Sequence, residues 1–382
     1  NKLNKDELTL KGEDPDDDGG YFIINGSERV LIDVEDLCAN KFLIHKASIG
    51  PSKFVGKIFS EFGSFKIPHT MERMKDGMFY LTFTRVKRMP IVMIVKALGL
   101  TKDEDIMKFV TGGEQNDMVF VNLLEFVDVK NEEEALDWIA KRIGITQSKE
   151  IRVDRMKEII DRYLLPHLGT KKEDRILKAY NLCKYLKKYV SVVKGDRTTD
   201  DKDHYMNKRV KMSGDLLADL FRVNLKVLIG DMLYNFQRIV KRGKFPSIKV
   251  VIRDKLLTSR LYSSMATGNW VGGRKGISQN ISRVNAVDTT SHTQRVASLL
   301  TASQENFEAR ALHSTHWGRL CANESPEGKN IGLRKTLALT GTITTELQAS
   351  EYSKNLKSLQ KIGLEEIKGW ATYSLMEYYR EQ

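Results

Sequence analysis

The stretch Gly19-Gly20-Tyr21-Phe22-Ile23-Ile24-Asn25-Gly26-Ser27-Glu28-Arg29-Val30-Leu31-Ile32 decides how the chain begins to fold. Two strand-like runs, 21–24 and 27–32, flank Asn25-Gly26, and Asn-Gly is the strongest short hairpin signal because a type I′ turn needs positive φ at both central positions. Upstream, residues 1–18 carry seven acids against three bases and end in Asp14-Pro15-Asp16-Asp17-Asp18. Downstream, residues 51–95 mix short β-type runs with breakers at Pro51, Pro68 and Pro90. Three helices are predicted next: 132–143 capped by Asn131, about 149–165 stopped by Pro166, and about 171–190. A polar loop, 195–204, then leads to a long helix capped by Ser213. There Leu216, Leu220, Phe221, Leu228, Leu233 and Phe236 give a broad apolar face at helical spacing. From 260 to 334 the chain turns rich in Gly, Ser, Thr and Asn, the texture of functional loops held on a scaffold. The expected fold class is α+β, multidomain.

At 382 residues the chain is long enough for two to four domains. Its 41% hydrophobic and 29% charged residues are an ordinary globular composition. Runs such as Ile91-Val92-Met93-Ile94-Val95 are too short to span a bilayer, and the polar, acidic start is not a signal peptide. Cys38, Cys183 and Cys321 form no CxxC pair, which argues against a disulfide framework or structural zinc and fits a reducing, cytoplasmic compartment. The net charge is +12, and it is unevenly placed. Residues 241–295 hold eleven bases against Asp254 and Asp288, the footprint of a polyanionic partner.

Three patterns resemble chemistry without completing it. Asp14-x-Asp16-x-Asp18-Gly19 begins like a calcium loop, but its twelfth position is Asn25, in the hairpin turn, so the segment reads as a solvated acidic loop. His313 and His316 lack an apparent third ligand and read as hydrogen-bonding residues. Gly272-Gly273-Arg274-Lys275-Gly276 matches neither the dinucleotide nor the P-loop spacing, but suits a flexible basic loop against a phosphodiester backbone. Two rival functions are weak on the same grounds. A free-standing nucleic-acid-binding module would show a helix-turn-helix or OB barrel. A single-chain nucleotidyltransferase built on Asp14, Asp16 and Asp18 would need a second carboxylate source and a phosphate loop.

Longer motifs carry a specific resemblance. Gly19 to Val30 resembles GGYFIINGSEKV, and Asp200-Asp201-Lys202-Asp203-His204 resembles DDRDH. Ala266-Thr267-Gly268-Asn269-Trp270 matches ATGNW. His313 to Leu333, through Thr315-His316-Trp317-Gly318 and Glu324-Ser325-Pro326-Glu327-Gly328, resembles HxTHxGxxCxxETPEGxxxGL, with Ser325 in place of Thr. In this order they are signatures of the second-largest subunit of multisubunit DNA-directed RNA polymerases. Trp317 and the ATGNW stretch lean to the archaeal and eukaryotic branch.

The resemblance implies a layout: part of the protrusion at 1–50, the lobe at 51–212, the protrusion's return at 213–257, the fork at 258–342, and the start of an external region at 343–382. Ending at Gln382 suggests either a fragment or the N-terminal part of a split archaeal B subunit, of which the split is favoured. The chain would be non-catalytic and would hold no cofactor, since the Mg²⁺-binding aspartates of the whole enzyme belong to the largest subunit. It would form one side of the DNA cleft. Its expected partners are the largest subunit, the remainder of its own subunit, other polymerase subunits, template DNA, nascent RNA and general transcription factors, with no membrane. Arg260, Arg274, Lys275, Arg283 and Gln304 are the expected nucleic-acid contacts, Gln304 within a second fork loop at 299–307. Glu327 and Asn330 would lie near the active centre.

Overall fold

The computed structural model describes residues 3–361 apart from 13, 18, 48, 49, 64, 115, 244, 246, 304 and 344–348. The described backbone separates into two compact units, one of residues 3–37 with 203–343 and one of 38–202 with 349–361. Both units mix helix and sheet, as expected for an α+β chain.

The unit 38–202 begins with a five-stranded antiparallel meander, Leu43–Lys46, Phe54–Phe62, Phe65–Arg73, Phe79–Phe83 and Val86–Pro90, each strand beside the next in sequence. Pro68 was expected to break a strand, yet it lies inside Phe65–Arg73, opposite Phe59. The pairing with Phe79–Phe83 starts only at His69, so on that flank Pro68 sits at an edge where no ladder N–H is needed. The apolar run at 91–95 becomes the helix Ile91–Ala97, every residue of which is buried. Five helices follow: Asp103–Thr111, Asp117–Leu124, Glu132–Ile143, Lys149–Tyr163 and Arg175–Lys194. Asn131 holds the expected cap position, but its side chain makes no capping bond and instead donates to Glu134 at 3.3 Å. The third predicted helix starts later than expected because 172–174 form a 3₁₀ turn first. One continuous core joins sheet and helices, including Ile44, Ile58, Met71, Phe79, Leu136 and Leu186.

In the unit 3–37 with 203–343, the predicted hairpin forms: Phe22–Ile24 pairs with Ser27–Leu31, and Asn25 and Gly26 have φ of 51° and 72°. Ser278–Asn280 adds a third strand. A second sheet has the order Arg334–Thr336, Arg295–Ser298, Asp33–Leu37, Lys208–Lys211, with a parallel pair at its centre. Leu31, Val34, Leu216, Leu220, Met265, Trp270 and Ile277 share a core, and the buried Trp270 indole N–H donates to Leu216 O at 2.8 Å. The long helix spans Ser213–Val240. Ser213 is its first residue rather than its cap, and Asp215 accepts the Met212 N–H at 3.2 Å instead. Past Leu220 its apolar face is largely uncovered, with Ile229, Leu233 and Tyr234 more than half exposed.

The two units follow strand pairing and shared cores. Residues 43–46 pair with Phe54–Phe62, whereas 208–211 pair with Asp33–Leu37. Met265, Trp270 and Ile277, expected in a separate fork, share their core with Leu31 and Leu216. Among the described residues no helix is long and apolar enough to cross a membrane.

His69 allows a pH test of the second unit. It is 1% exposed and neutral: its Nδ1 lies 3.1 Å from Ile67 O, and its Nε2 accepts the Leu165 N–H at 3.1 Å. Burial lowers its pKa to about 4. The unfolded chain therefore binds the extra proton first as pH falls below about 6.5, and stability conferred by the neutral ring is lost progressively towards pH 4. Urea unfolding between pH 7 and 4 should show a stability loss that is shallower in His69→Gln, by up to about 2–3 kcal/mol at pH 4. Parallel curves for the two proteins would contradict this.

Candidate nucleic-acid interface

Two signature segments of the first unit, 203–204 and 313–333, meet beside one buried carboxylate. Glu35, on strand Asp33–Leu37, is 4% exposed. Its Oε1 accepts Lys335 Nζ at 2.7 Å and lies 3.6 Å from Lys208 Nζ, while its Oε2 accepts the Tyr205 hydroxyl at 2.5 Å. Burial acts to raise the Glu35 pKa, but the Lys335 and Lys208 charges outweigh it and hold the carboxyl below its ordinary value. Burial, and then the Glu35 charge, push the Tyr205 phenol upward, so it stays a hydrogen-bond donor.

Tyr205 follows the Asp203-His204 end of its motif and ties it to the histidine motif. The Tyr205 N–H donates to Thr315 Oγ1 at 3.1 Å, and Thr315 Oγ1 lies 2.7 Å from His313 Nδ1. The His316 ring stands edge-on to the Tyr205 ring at 5.0 Å. Burial, then Lys335 and Lys208, lower the His316 pKa to about 4, so the ring is neutral at physiological pH. Both histidines thus serve as internal hydrogen-bonding and packing groups. Among the described residues no cluster of three or more His, Cys, Asp or Glu could hold a metal ion.

The segment 324–334 is a closed loop. Ser325 Oγ accepts the Gly332 N–H at 2.8 Å and donates to Arg334 O at 3.3 Å, so the hydroxyl closes the neck. The Arg310 guanidinium donates to Lys329 O at 2.8 Å and Ile331 O at 2.9 Å, and to Ala302 O at 3.0 Å, which links this loop to 299–303. Gly332 has φ +70°, and a Cβ there would stand 2.2 Å from Arg310 O, so only glycine fits. The loop presents Glu327 to solvent and keeps Asn330 half-buried. Beside it lies a cleft of about 380 Å³ whose lining includes Arg295, Glu324, Arg334 and Lys335.

The expected phosphate contacts fall into two pairs. Arg260, on helix Asp254–Thr267, and Lys275 are exposed. Arg274 is half-buried with its guanidinium 3.7 Å from Asp36. Arg283 makes a two-pronged pair with Glu28, at 2.9 and 3.0 Å, adds Asp17 at 3.2 Å, and lies 4.8 Å from the Tyr21 ring centre. Two of the four thus face solvent without an acidic partner among the described residues, and two are engaged by carboxylates. Gln304 and Asp18 lie outside the described residues. Asp16 is held by Lys5 at 2.7 Å, in an exposed pair.

Sequence reading missed Glu35, Lys208, Lys335 and Arg310. Lys335 and Arg310 offered one faint signal, their closeness to the most specific motif. Glu35 offered none, because a single carboxylate in a strand normally faces water.

Comparison with known proteins places these residues in context. Residues 62–211 match a family model described as RNA polymerase Rpb2, domain 2, and residues 279–343 match RNA polymerase Rpb2, domain 3. The DNA-directed RNA polymerase subunit Rpo2 of Saccharolobus solfataricus is 42% identical over 365 residues, covering 95% of this chain and 32% of that protein. The subunit Rpo2N of Methanocaldococcus jannaschii is 41% identical over 360 residues, covering 93% and 72% respectively. Rpo2N of Halobacterium salinarum is 41% identical over 373 residues, covering 96% and 71%. The chain thus spans about a third of the Saccharolobus relative's length and about seven tenths of the two Rpo2N relatives.

Glu35→Ala should strand Lys335 as a buried charge without its direct partner and leave Lys208 with only Asp203, 3.3 Å away. Breaking a buried pair in this way costs about 3–5 kcal/mol, whereas Tyr205→Phe, which removes one bond to a charged group, should cost about 1.5–3. Urea denaturation of the three proteins measures both. A Glu35→Ala chain as stable as the parent would mean that the cluster is hydrated.

Proposed function

The chain belongs to the Rpo2/Rpo2N family of DNA-directed RNA polymerase subunits, and from that premise we propose that it works as a non-catalytic part of such an enzyme, forming one side of the DNA cleft. In this reading the loops 299–307 and 324–333 lie near the point where the strands separate and near the active centre. The chemistry, nucleotidyl transfer to an RNA 3′ end, uses Mg²⁺ held by another subunit. The observation that carries the reading is the closed loop 324–334. It is pinned by Ser325, Arg310 and the Lys335–Glu35 pair, yet it presents Glu327 outward. A loop so fixed at its base suits a surface that must hold its shape against a moving nucleic acid.

The uncovered apolar face of the helix Ser213–Val240, together with Phe245, Ile248 and Val250, each at least 70% exposed, supports a life inside a larger assembly. The remainder of the subunit, the largest subunit and general transcription factors are its proposed partners, in the cytoplasm. Lys275 and Arg260 are the first proposed phosphate contacts. Arg274 and Arg283 would first have to leave Asp36 and Glu28.

Two experiments test this reading. The purified chain alone, given Mg²⁺, template and nucleotides, should make no RNA, whereas the assembled enzyme should. Template-dependent synthesis by the isolated chain, abolished by Asp16→Ala, would overturn the reading. In the assembled enzyme, Arg260→Glu with Lys275→Glu should shorten open-complex lifetime most at low salt. It should also reduce the slope of log affinity against log salt by about 0.9 for each phosphate that the chain no longer neutralises. An unchanged slope would place both side chains in solvent.

A further inference from the structure

The unit 38–202 holds a second cleft, of about 390 Å³, remote in sequence from the motifs above. Its floor is Tyr189, fully buried, whose hydroxyl donates to Phe54 O at 2.5 Å, accepts the Arg73 N–H at 3.2 Å, and lies 3.2 Å from Ser52 Oγ. These bonds join the loop before strand Phe54–Phe62, the end of strand Phe65–Arg73 and the last turns of helix Arg175–Lys194, so the floor is rigid.

Three cations line the cleft: Lys53, Arg73 and Lys75. Lys53 and Lys75 are exposed; Arg73 is half-buried, with its Nε donating to Gly77 O at 3.4 Å and its guanidinium 5.9 Å from the Phe79 ring centre. None of the three makes an ion pair with a described carboxylate, and no acidic side chain lines the cleft. Three like charges around one concave site repel one another, and an anion entering it relieves that repulsion. Apolar groups of Pro51, Phe54, Met74 and Val193 line the same space.

We propose that this cleft binds an acidic peptide segment of a partner protein, seating an Asp or Glu carboxylate among Lys53, Arg73 and Lys75 and an adjacent apolar side chain against Met74 and Val193. The geometry favours a peptide over nucleic acid. The cleft holds one or two side chains, whereas a phosphodiester backbone is read along an extended basic surface. Cations beside apolar groups match the alternating chemistry of a peptide better than that of bare phosphate.

The site stands independently of the polymerase reading and can be tested on the full chain. The probe is a short fluorescein-labelled peptide alternating glutamate and phenylalanine, titrated by anisotropy. Lys53→Glu with Lys75→Glu, both exposed and so neutral for folding, should weaken binding on the order of tenfold or more. Arg73→Gln should weaken it as well, and glutamine in place of the peptide's glutamates should abolish it. Equal binding of the glutamine peptide, or unchanged binding by the double variant, would overturn the proposal. Displacement of the peptide by a single-stranded oligonucleotide that needs the same three cations would assign the cleft to nucleic acid instead. Displacement by millimolar inorganic phosphate alone would reduce it to a simple anion site.

Discussion

Glu35 is a carboxylate that has left water, and the arrangement of its unit follows from what that requires. An isolated buried carboxylate would be neutralised by protonation. Here Lys335, Lys208 and Tyr205 keep it charged, and to do so they must arrive from two distant parts of the chain, 205–208 and 335. Lys335 sits at the end of the closed loop, Lys208 on the strand Lys208–Lys211, and Tyr205 beside the histidine motif. A one-residue slip in any of these strands would turn its cation to the opposite face. The cluster therefore fixes register across the four-stranded sheet, and through the sheet it sets where the loop 324–334 emerges.

The other unit uses buried charge differently. Lys96 and Lys178 are nearly inaccessible, at 1% and 0% exposure, and both serve carbonyls near helix ends. Lys96 donates to Phe126 O and Val129 O, past the end of Asp117–Leu124, and is paired with Asp103 at 2.9 Å. Lys178 donates to Ile160 O and Asp161 O in the last turns of Lys149–Tyr163, and burial lowers its pKa to about 8. The last carbonyls of a helix have no partner of their own, so a buried helix end needs a donor from elsewhere. Lys178 supplies it for Lys149–Tyr163, and Lys96 supplies donors to the turn that follows Asp117–Leu124.

The two units also differ in how complete they are. The core of 38–202 is continuous and well covered, whereas the helix Ser213–Val240 has its fully buried apolar residues, Leu216 and Leu220, in its first turns, in the core with Leu31, Val34 and Trp270, and beyond them buries Asn224 and Asn235. Exposed Phe221, Ile229, Leu233 and Tyr234 on a single helix form a surface that folding of this chain alone does not bury. That asymmetry accords with family membership. One unit carries a large continuous core, while the other carries a smaller core, most of the signature segments and an exposed apolar helix face.

Local chemistry was legible in the sequence. Asn25-Gly26 dictated a turn because few other pairs tolerate positive φ twice, and the periodic run 132–143 dictated a helix to the residue. The long motifs identified the family, since such strings rarely arise by chance. The sequence could not reveal which charges leave water. Lys335 and Glu35 are 300 residues apart, and Arg283 and Glu28 are 255 apart. Their pairing is a product of strand order, which no local pattern encodes. For the same reason Arg283 read as a phosphate contact, with nothing local to show its pairing with Glu28. The helix Ser213–Val240 was legible as an apolar face and no more, because periodicity reports that a face is apolar, not what covers it. The sequence determined which residues can turn, coil or carry charge. The tertiary structure decided which of those charges face water, because burial depends on neighbours that only the folded chain brings together.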